Sequence, residues 1–300
     1  MRDGLVRIHS RSVFFATFSM ESHRLVLITG ANRGFGLAML RTCIAQNEHT
    51  KNRLTLVVTV RESSPALDDI LHDSVEQPRS WALHILYDID WSKQEKYRSY
   101  FSEICEALNK AQTACAVNEF VVIHNAGTLG DLSRPLSQMV TSTDENNVSA
   151  FYLTNVVAMQ LLTAKLLHWA KTMHNYTSSR TVIVNVSSLL AVEPFPYWSL
   201  YAPVKAARDM LLRVAALEED SERIKTLNYA PGPLDNSMQE NVISTISDRK
   251  QRDAYKNMKE NGKLVKEEAS AHVLLHVINT NAFKSGDHVD YFDVSDKFLH

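Results

Sequence analysis

Disulfides and metal clusters are the first things this sequence is short of. It has three cysteines in 300 residues, Cys43, Cys105 and Cys115, with neither an even count nor a metal-ligand spacing. That excludes a disulfide-stapled secreted domain and predicts reduced, structural thiols, a cytoplasmic chain and no bound metal. An excess of charge of either sign is also missing: 32 Lys and Arg stand against 34 Asp and Glu, for a formal net charge of -2. This removes the electrostatic ground for binding nucleic acid or an anionic membrane surface. No apolar run approaches the ~20 residues that span a bilayer, and there is no low-complexity stretch or linker. Glycine is scarce, nine in all, so the cluster Gly30, Gly34 and Gly36 stands out. With 45% hydrophobic and 22% charged residues, what remains is a globular chain long enough for a large core.

The first 22 residues stand apart. Arg2, Arg7 and Arg11 with Ser10 and Ser12 faintly resemble a transit peptide, against which Asp3 and Glu21 count. Met20 lies just ahead of the first strand. The expectation is a disordered extension, or a start at Met20, and one domain over 23–300.

From Arg24 onward, short apolar runs alternate with longer stretches of helical spacing. Residues 25–29, 54–60, 82–87, 120–123, 181–186, 224–229 and 288–292 read as strands. Their apolar residues are continuous rather than alternating, as in a sheet covered on both faces. Helical spacing occupies 36–46, 64–75, 93–111, 147–174, 200–218 and 266–278. The repetition predicts a single α/β domain, a doubly wound, Rossmann-type, mainly parallel sheet of about seven strands with helices on both faces.

The turn after the first strand reads Thr29-Gly30-Ala31-Asn32-Arg33-Gly34-Phe35-Gly36. Glycines let backbone approach a pyrophosphate, and the helix that follows offers unpaired N–H groups and the positive end of its dipole. After the second strand an NAD-binding chain usually places an acid for the ribose 2′-hydroxyl. Here Arg61 stands, with Arg33 in the glycine turn. Two guanidinium groups there suit a 2′-phosphate, so NADP(H) is expected over NAD(H); the alternative is a solvated charge at a strand end. Glu62 is expected to point the other way. Asp88, after the third strand, suits the adenine amino group or an exposed turn. The fourth strand ends at Asn125-Ala126-Gly127, small enough for backbone to pass beside the ribose-nicotinamide half of a dinucleotide, with Asn125 fixing the turn.

Proton transfer points to Tyr201 and Lys205. A phenol titrates near ~10 and a lysine near ~10.4, so neither is useful alone at neutral pH. If Tyr201 begins a helix, Lys205 lies one turn on along the same face, where its cation is expected to lower the tyrosine's pKa. A serine at the end of the preceding strand, Ser187 or Ser188, could polarise a carbonyl oxygen that Tyr201 protonates while a hydride reaches carbon.

In order and approximate spacing, the glycine turn, Asn125-Ala126-Gly127, Ser187-Ser188, Tyr201-x-x-x-Lys205 and Pro231-Gly232 resemble the short-chain dehydrogenase/reductase family over residues 24–293. The resemblance implies that Ser188 orients the substrate carbonyl, Tyr201 donates the proton, and Lys205 binds the nicotinamide ribose and tunes Tyr201. It places Gly30, Asn32, Arg33, Gly34, Phe35, Gly36, Arg61, Asp88, Asn125, Ala126, Gly127, Pro231 and Gly232 around the cofactor. Further blocks, Lys205-Ala206-Ala207-Arg208-Asp209-Met210, residues 228–235 and residues 283–290, are similar to the branch that reduces pterin side-chain carbonyls in tetrahydrobiopterin synthesis. That implies an NADPH-dependent carbonyl reductase, usually a homodimer. Asp290 then matches the acid that anchors the pterin, with Gly232 and Met238 lining the pocket and Trp198 either an aromatic wall or core. Other ketones or dicarbonyls, or silent NADPH binding, are the competing readings.

The family asparagine that links the lysine to solvent through a water matches Tyr152 here, which puts that relay in doubt; Asn155, three residues on, could substitute. His124 stands where the family commonly has a second asparagine. Residues 236–263 are polar and fit a flap over the substrate or a surface excursion. The long helices over 147–174 and 200–218 are apolar on more than one face, as a twofold mate would require.

Overall fold

The computed structural model describes residues 10–12, 22–50, 52–75 and 80–297. Its sheet orders eight strands as β1-β4-β3-β2-β5-β6-β7-β8. These are β1 (Ser10–Ser12), β2 (His23–Thr29), β3 (Arg53–Thr59), β4 (Trp81–Leu86), β5 (Glu119–His124), β6 (Arg180–Val186), β7 (Ile224–Ala230) and β8 (His288–Asp290). From β2 to β8 all neighbours pair in parallel, as the continuous apolar runs predict. The expected disordered extension is corrected in one place: Ser10–Ser12 adds an antiparallel edge to β4. Residues 1–9 and 13–21 lie outside the described residues.

Helices cover both faces. On one, α1 (Gly34–Glu48), α2 (Pro65–Val75) and α9 (Glu267–Thr280) bury Met39, Leu40, Leu67, Leu274 and Ile278 against Val26, Ile28, Leu56 and Val184. On the other, α3 (Tyr97–Ala114), α5 (Ala158–Lys171) and α6 (Tyr201–Glu218) bury Ile104, Leu108, Leu162, Leu166, Trp169 and Leu212 against Leu25, Leu27, Val122 and Ile183. Burying each such side chain fully contributes roughly 1.5–3 kcal/mol before chain entropy is subtracted.

Three boundaries differ from the sequence reading for identifiable reasons. The helix expected over 147–174 starts earlier, as α4 (Ser142–Tyr152), because Thr141 and Asp144 form a reciprocal capping box. It then passes through a π-helical turn, Leu153–Val157, before α5. The last strand stops at Asp290 because its Oδ1 accepts from Phe292 N–H at 2.9 Å and caps the short helix α10 (Tyr291–Val294). The polar segment 236–263 folds as two helices, α7 (Ser237–Thr245) and α8 (Arg249–Glu260), capped by Asn236 and Asp248. The continuous helical stretch Thr143–Lys171 is, by length and composition, apolar enough to cross a membrane. It reaches that level because its apolar residues face more than one way, and Met159, Leu162, Leu166 and Trp169 are buried in the core.

Candidate active site

Between β2 and β5 the chain changes sides of the sheet, the topological switch point at which such folds hold ligands beyond the strands' carboxyl ends. Gly30 turns there with φ 70°, and a Cβ on Gly36 would lie 2.2 Å from the Gly30 carbonyl oxygen. Asn125 does fix this turn. Its Nδ2 donates to the carbonyls of Thr29 (3.1 Å) and Gly30 (2.9 Å), while Thr29 Oγ1 accepts from the N–H groups of Asn125 (3.1 Å) and Ala126 (3.0 Å). Helix α1 starts with no side-chain cap and no acid in its first turn, so its N-terminal N–H groups and dipole remain available to an anion, which suits a diphosphate. Asn32 turns its carbonyl to Ser64 Oγ at 2.6 Å. Phe35 is buried with its ring stacked 6.4 Å from that of Tyr229, leaving only its backbone near the turn.

Arg33 is exposed as the N-cap residue of α1, and Arg61 is exposed just beyond β3. Glu62 does not point away from Arg61: its Oε1 lies 3.6 Å from the guanidinium. With both side chains more than three-fifths exposed, such a pair contributes little and leaves Arg61 easily recruited. Asp88 is exposed in a left-handed turn (φ 59°) after β4.

Tyr201 is the first residue of α6, and Lys205 sits one turn on with Nζ 5.2 Å from the tyrosine ring centroid. Lys205 Nζ donates to the Val186 carbonyl at 2.6 Å, which pins it to the end of β6. Of the two serines, Ser187 is buried and donates to Asp209 Oδ1 at 2.5 Å. Ser188 is partly buried and caps the following turn by accepting from Leu190 N–H at 3.2 Å. The expectation that Lys205 lowers the Tyr201 pKa is corrected. Burial pushes the phenol up to about 12, with Arg208 pulling the other way, and burial also brings Lys205 well below its ordinary value. At neutral pH the phenol is therefore protonated, the form a proton donor needs.

Of the two candidates for the relay, the structure brings Asn155 and not Tyr152 to the turn after β5. Tyr152 packs against the Phe151, Leu200 and Val204 cluster. Asn155, in the π-helical turn, is 1% exposed and lies against the Asn125-Ala126-Gly127 loop. Its Oδ1 accepts from Thr128 N–H at 2.9 Å and its Nδ2 donates to Thr128 Oγ1 and the Phe151 carbonyl. A Cβ on Gly127 would come within 3.0 Å of that Oδ1. π turns are rare and occur frequently at functional sites.

Beneath these groups lies a buried polar network that sequence reasoning did not single out. Arg208, 1% exposed, donates to the carbonyls of His124 (2.6 Å) and Ala126 (3.1 Å) and to Asn185 Oδ1 (2.8 Å). Asp209 accepts from Ser187, from Asn185 Nδ2 at 2.8 Å and from His288 Nδ1 at 2.6 Å. His124 bonds Thr163 Oγ1 at 3.0 Å, and burial with the nearby Arg208 pulls it down to about 3, so it is neutral. The available signal was spacing: Lys205, Arg208 and Asp209 fall at i, i+3 and i+4, three charges on one helix face.

At the carboxyl end of β7, Gly232 turns with φ 78°, and a Cβ there would meet Val265 at 3.0 Å and Phe292 at 3.5 Å. The Pro231 carbonyl accepts from Ser270 Oγ. Asp290 pairs with Ala230 across β7 and β8, half-buried, and burial raises its pKa. Met238 is partly exposed on α7. Trp198 is core, 3% exposed, but its ring also lies 5.6 Å from that of Tyr201 and its Nε1 donates to Gln251 on α8. Val242, Ile246 and Tyr255 join it, so α7 and α8 form the outer wall beside the tyrosine. Among the described residues no group of three metal-ligating side chains occurs.

A family model described as short chain dehydrogenase matches residues 24–247. The chain is 35% identical to a sepiapterin reductase of Xenopus tropicalis over 270 residues, covering 90% of this chain and 96% of the relative. It is 31% identical to that of Rattus norvegicus, covering 92% and 100%. Among solved structures, a 3-oxoacyl-[acyl-carrier protein] reductase from Brucella melitensis in complex with NAD superimposes with a TM-score of 0.66 at 16% identity, covering 90% of this chain and 96% of the other. That last likeness is one of fold.

Proposed function

Since the chain belongs to the short-chain dehydrogenase family and is an oxidoreductase of the carbonyl–alcohol type, we propose that it reduces the side-chain carbonyl of a pterin at the expense of NADPH, as in tetrahydrobiopterin synthesis. The observation that carries the reading is Lys205 Nζ held 5.2 Å from the ring of Tyr201, with the half-buried Asp290 beside the Pro231-Gly232 turn. In this reading the turn from Gly30 to Gly36 takes the diphosphate, Arg33 and Arg61 the 2′-phosphate and Asp88 the adenine. Asn125, Ala126 and Gly127 line the inner ribose, Tyr201 and Lys205 bind its hydroxyls, and Pro231 and Gly232 back the nicotinamide. The dinucleotide supplies a hydride to the carbonyl carbon.

Ser188 Oγ–H donates to the carbonyl oxygen and polarises it. Tyr201 gives its proton to that oxygen, completing CH–OH and leaving a phenolate between Lys205 and the fixed charge of Arg208. Lys205 then returns a proton, with Asn155 rather than Tyr152 ordering the path to solvent. Asp290 accepts two parallel hydrogen bonds from the amino group and adjacent ring N–H of the pterin, orienting the ring before transfer. Leu161 on α5 and Met210, Val214 and Leu217 on α6 remain exposed, which supports a homodimer through these two helices.

NADPH oxidation followed by absorbance, with sepiapterin as substrate and Tyr201→Phe as control, tests the proposal. Turnover in the native chain and its loss in the variant are expected. Tight NADPH binding with no turnover of sepiapterin would overturn the pterin assignment, and turnover of a diketone in the same assay would replace it.

A further inference from the structure

The chemistry above leaves Asp209 without a role, yet it is the most connected carboxylate near the site. It is 6% exposed, and both oxygens are engaged: Oδ1 by Ser187 and Asn185, Oδ2 by His288 Nδ1 at 2.6 Å. A carboxylate only accepts, so His288 must present Nδ1–H to it. The other ring nitrogen is buried with no partner among the described residues, which leaves Asp209 as the polar tether of that ring. His288 opens β8, a strand of three residues at the sheet edge, paired only with β7. Residues two apart on a strand project to the same side, so His288 and Asp290 share a face. A strand this short is poorly located by its backbone pairing alone.

We propose that Asp209 is a positioning residue for the substrate: through His288 it fixes β8 and thereby aims Asp290, and through Ser187 it steadies the neighbouring Ser188. One dipeptide on α6, a turn beyond Lys205, thus ties the proton donor's helix to the strand that orients the ring. The inference rests on Asp290 as the pterin anchor, and the experiment separates the two.

His288→Leu removes the donor and keeps an apolar side chain; His288→Asn is smaller but retains an N–H near the Nδ1 position. For His288→Leu, the sepiapterin KM should rise about tenfold, while the NADPH Kd, read by nucleotide fluorescence, stays within about twofold. His288→Asn should recover most of that loss, and in an Asp290→Ala background His288→Leu should add nothing. A ring that merely fills space gives the reverse order, with Leu tolerated better than Asn. That order, or an undiminished effect in the Asp290→Ala background, overturns the proposal. Asp209→Asn, nearly isosteric, must also raise KM and leaves a folding-competent variant to measure if His288→Leu is unstable; an unchanged KM there overturns the proposal equally. Asp290→Ala with an unchanged KM refutes instead the anchor on which the inference stands.

Discussion

Arg208→Met tests whether the buried guanidinium holds the site together. Methionine replaces the aliphatic stem of the side chain and donates nothing, so the carbonyl oxygens of His124 and Ala126 and Oδ1 of Asn185 lose donors at 2.6, 3.1 and 2.8 Å. Each buried acceptor left unpaired costs about 1–3 kcal/mol. Relief from burying a cation offsets part of this, and removing one member of a buried charged network typically nets about 3–5 kcal/mol. Against a total stability of about 5–15 kcal/mol, that is a large loss. Urea unfolding measures it: the midpoint should fall with the m-value unchanged, and Arg208→Lys should lie between because it keeps the charge but not the fork. A functional signature accompanies it. Arg208 lowers the pKa of both Tyr201 and Lys205, so in Arg208→Met the rise of alcohol oxidation with pH should move to higher pH. A urea midpoint for Arg208→Met equivalent to less than about 0.5 kcal/mol of loss would refute the reasoning.

Asn155→Ala should lower kcat for NADPH oxidation roughly tenfold or more while Tyr152→Phe stays near native; the reverse order would return the relay to Tyr152. Replacing Arg33 and Arg61 together with alanine should weaken NADPH at least about tenfold relative to NADH in nucleotide titrations, and equal weakening of both would remove the 2′-phosphate assignment. His124 is held near 3 in the fold while an unfolded imidazole titrates near ~6.5. The unfolded chain binds more protons between those values, so this contribution is complete above about pH 6.5 and lost as pH falls toward about 3. His124→Asn should flatten that slope, as urea midpoints at about pH 7.5 and about pH 4.5 would show.

The order of strands and helices, the glycine turn and the Tyr201–Lys205 pair were legible because each is local: continuous apolar runs, glycine at a turn, two residues one helical turn apart. Helices α7 and α8 were not, because a polar composition conceals the caps at Asn236 and Asp248 and the few residues, Val242, Ile246 and Tyr255, that dock them. Asn155 was legible only as an alternative to Tyr152, because a sequence cannot register the π turn that sets it against the loop after β5. The Arg208–Asp209 network was invisible for a different reason. Charges on a helix are ordinarily solvated, and only the meeting of four strand ends supplies the acceptors and donors that let these two be buried.

The Tyr201 pKa carries the same lesson into the chemistry. The sequence places a cation one turn from a phenol, and that alone argues for a lower pKa. Burial of both groups in the fold acts on each of them, raising the phenol and lowering the amine, and it outweighs the pairing. The consequence is directional. Burial keeps the phenol protonated at neutral pH, the form that can give a proton to an oxyanion as carbonyl reduction requires. Alcohol oxidation needs the phenolate, so activity in that direction should rise with pH.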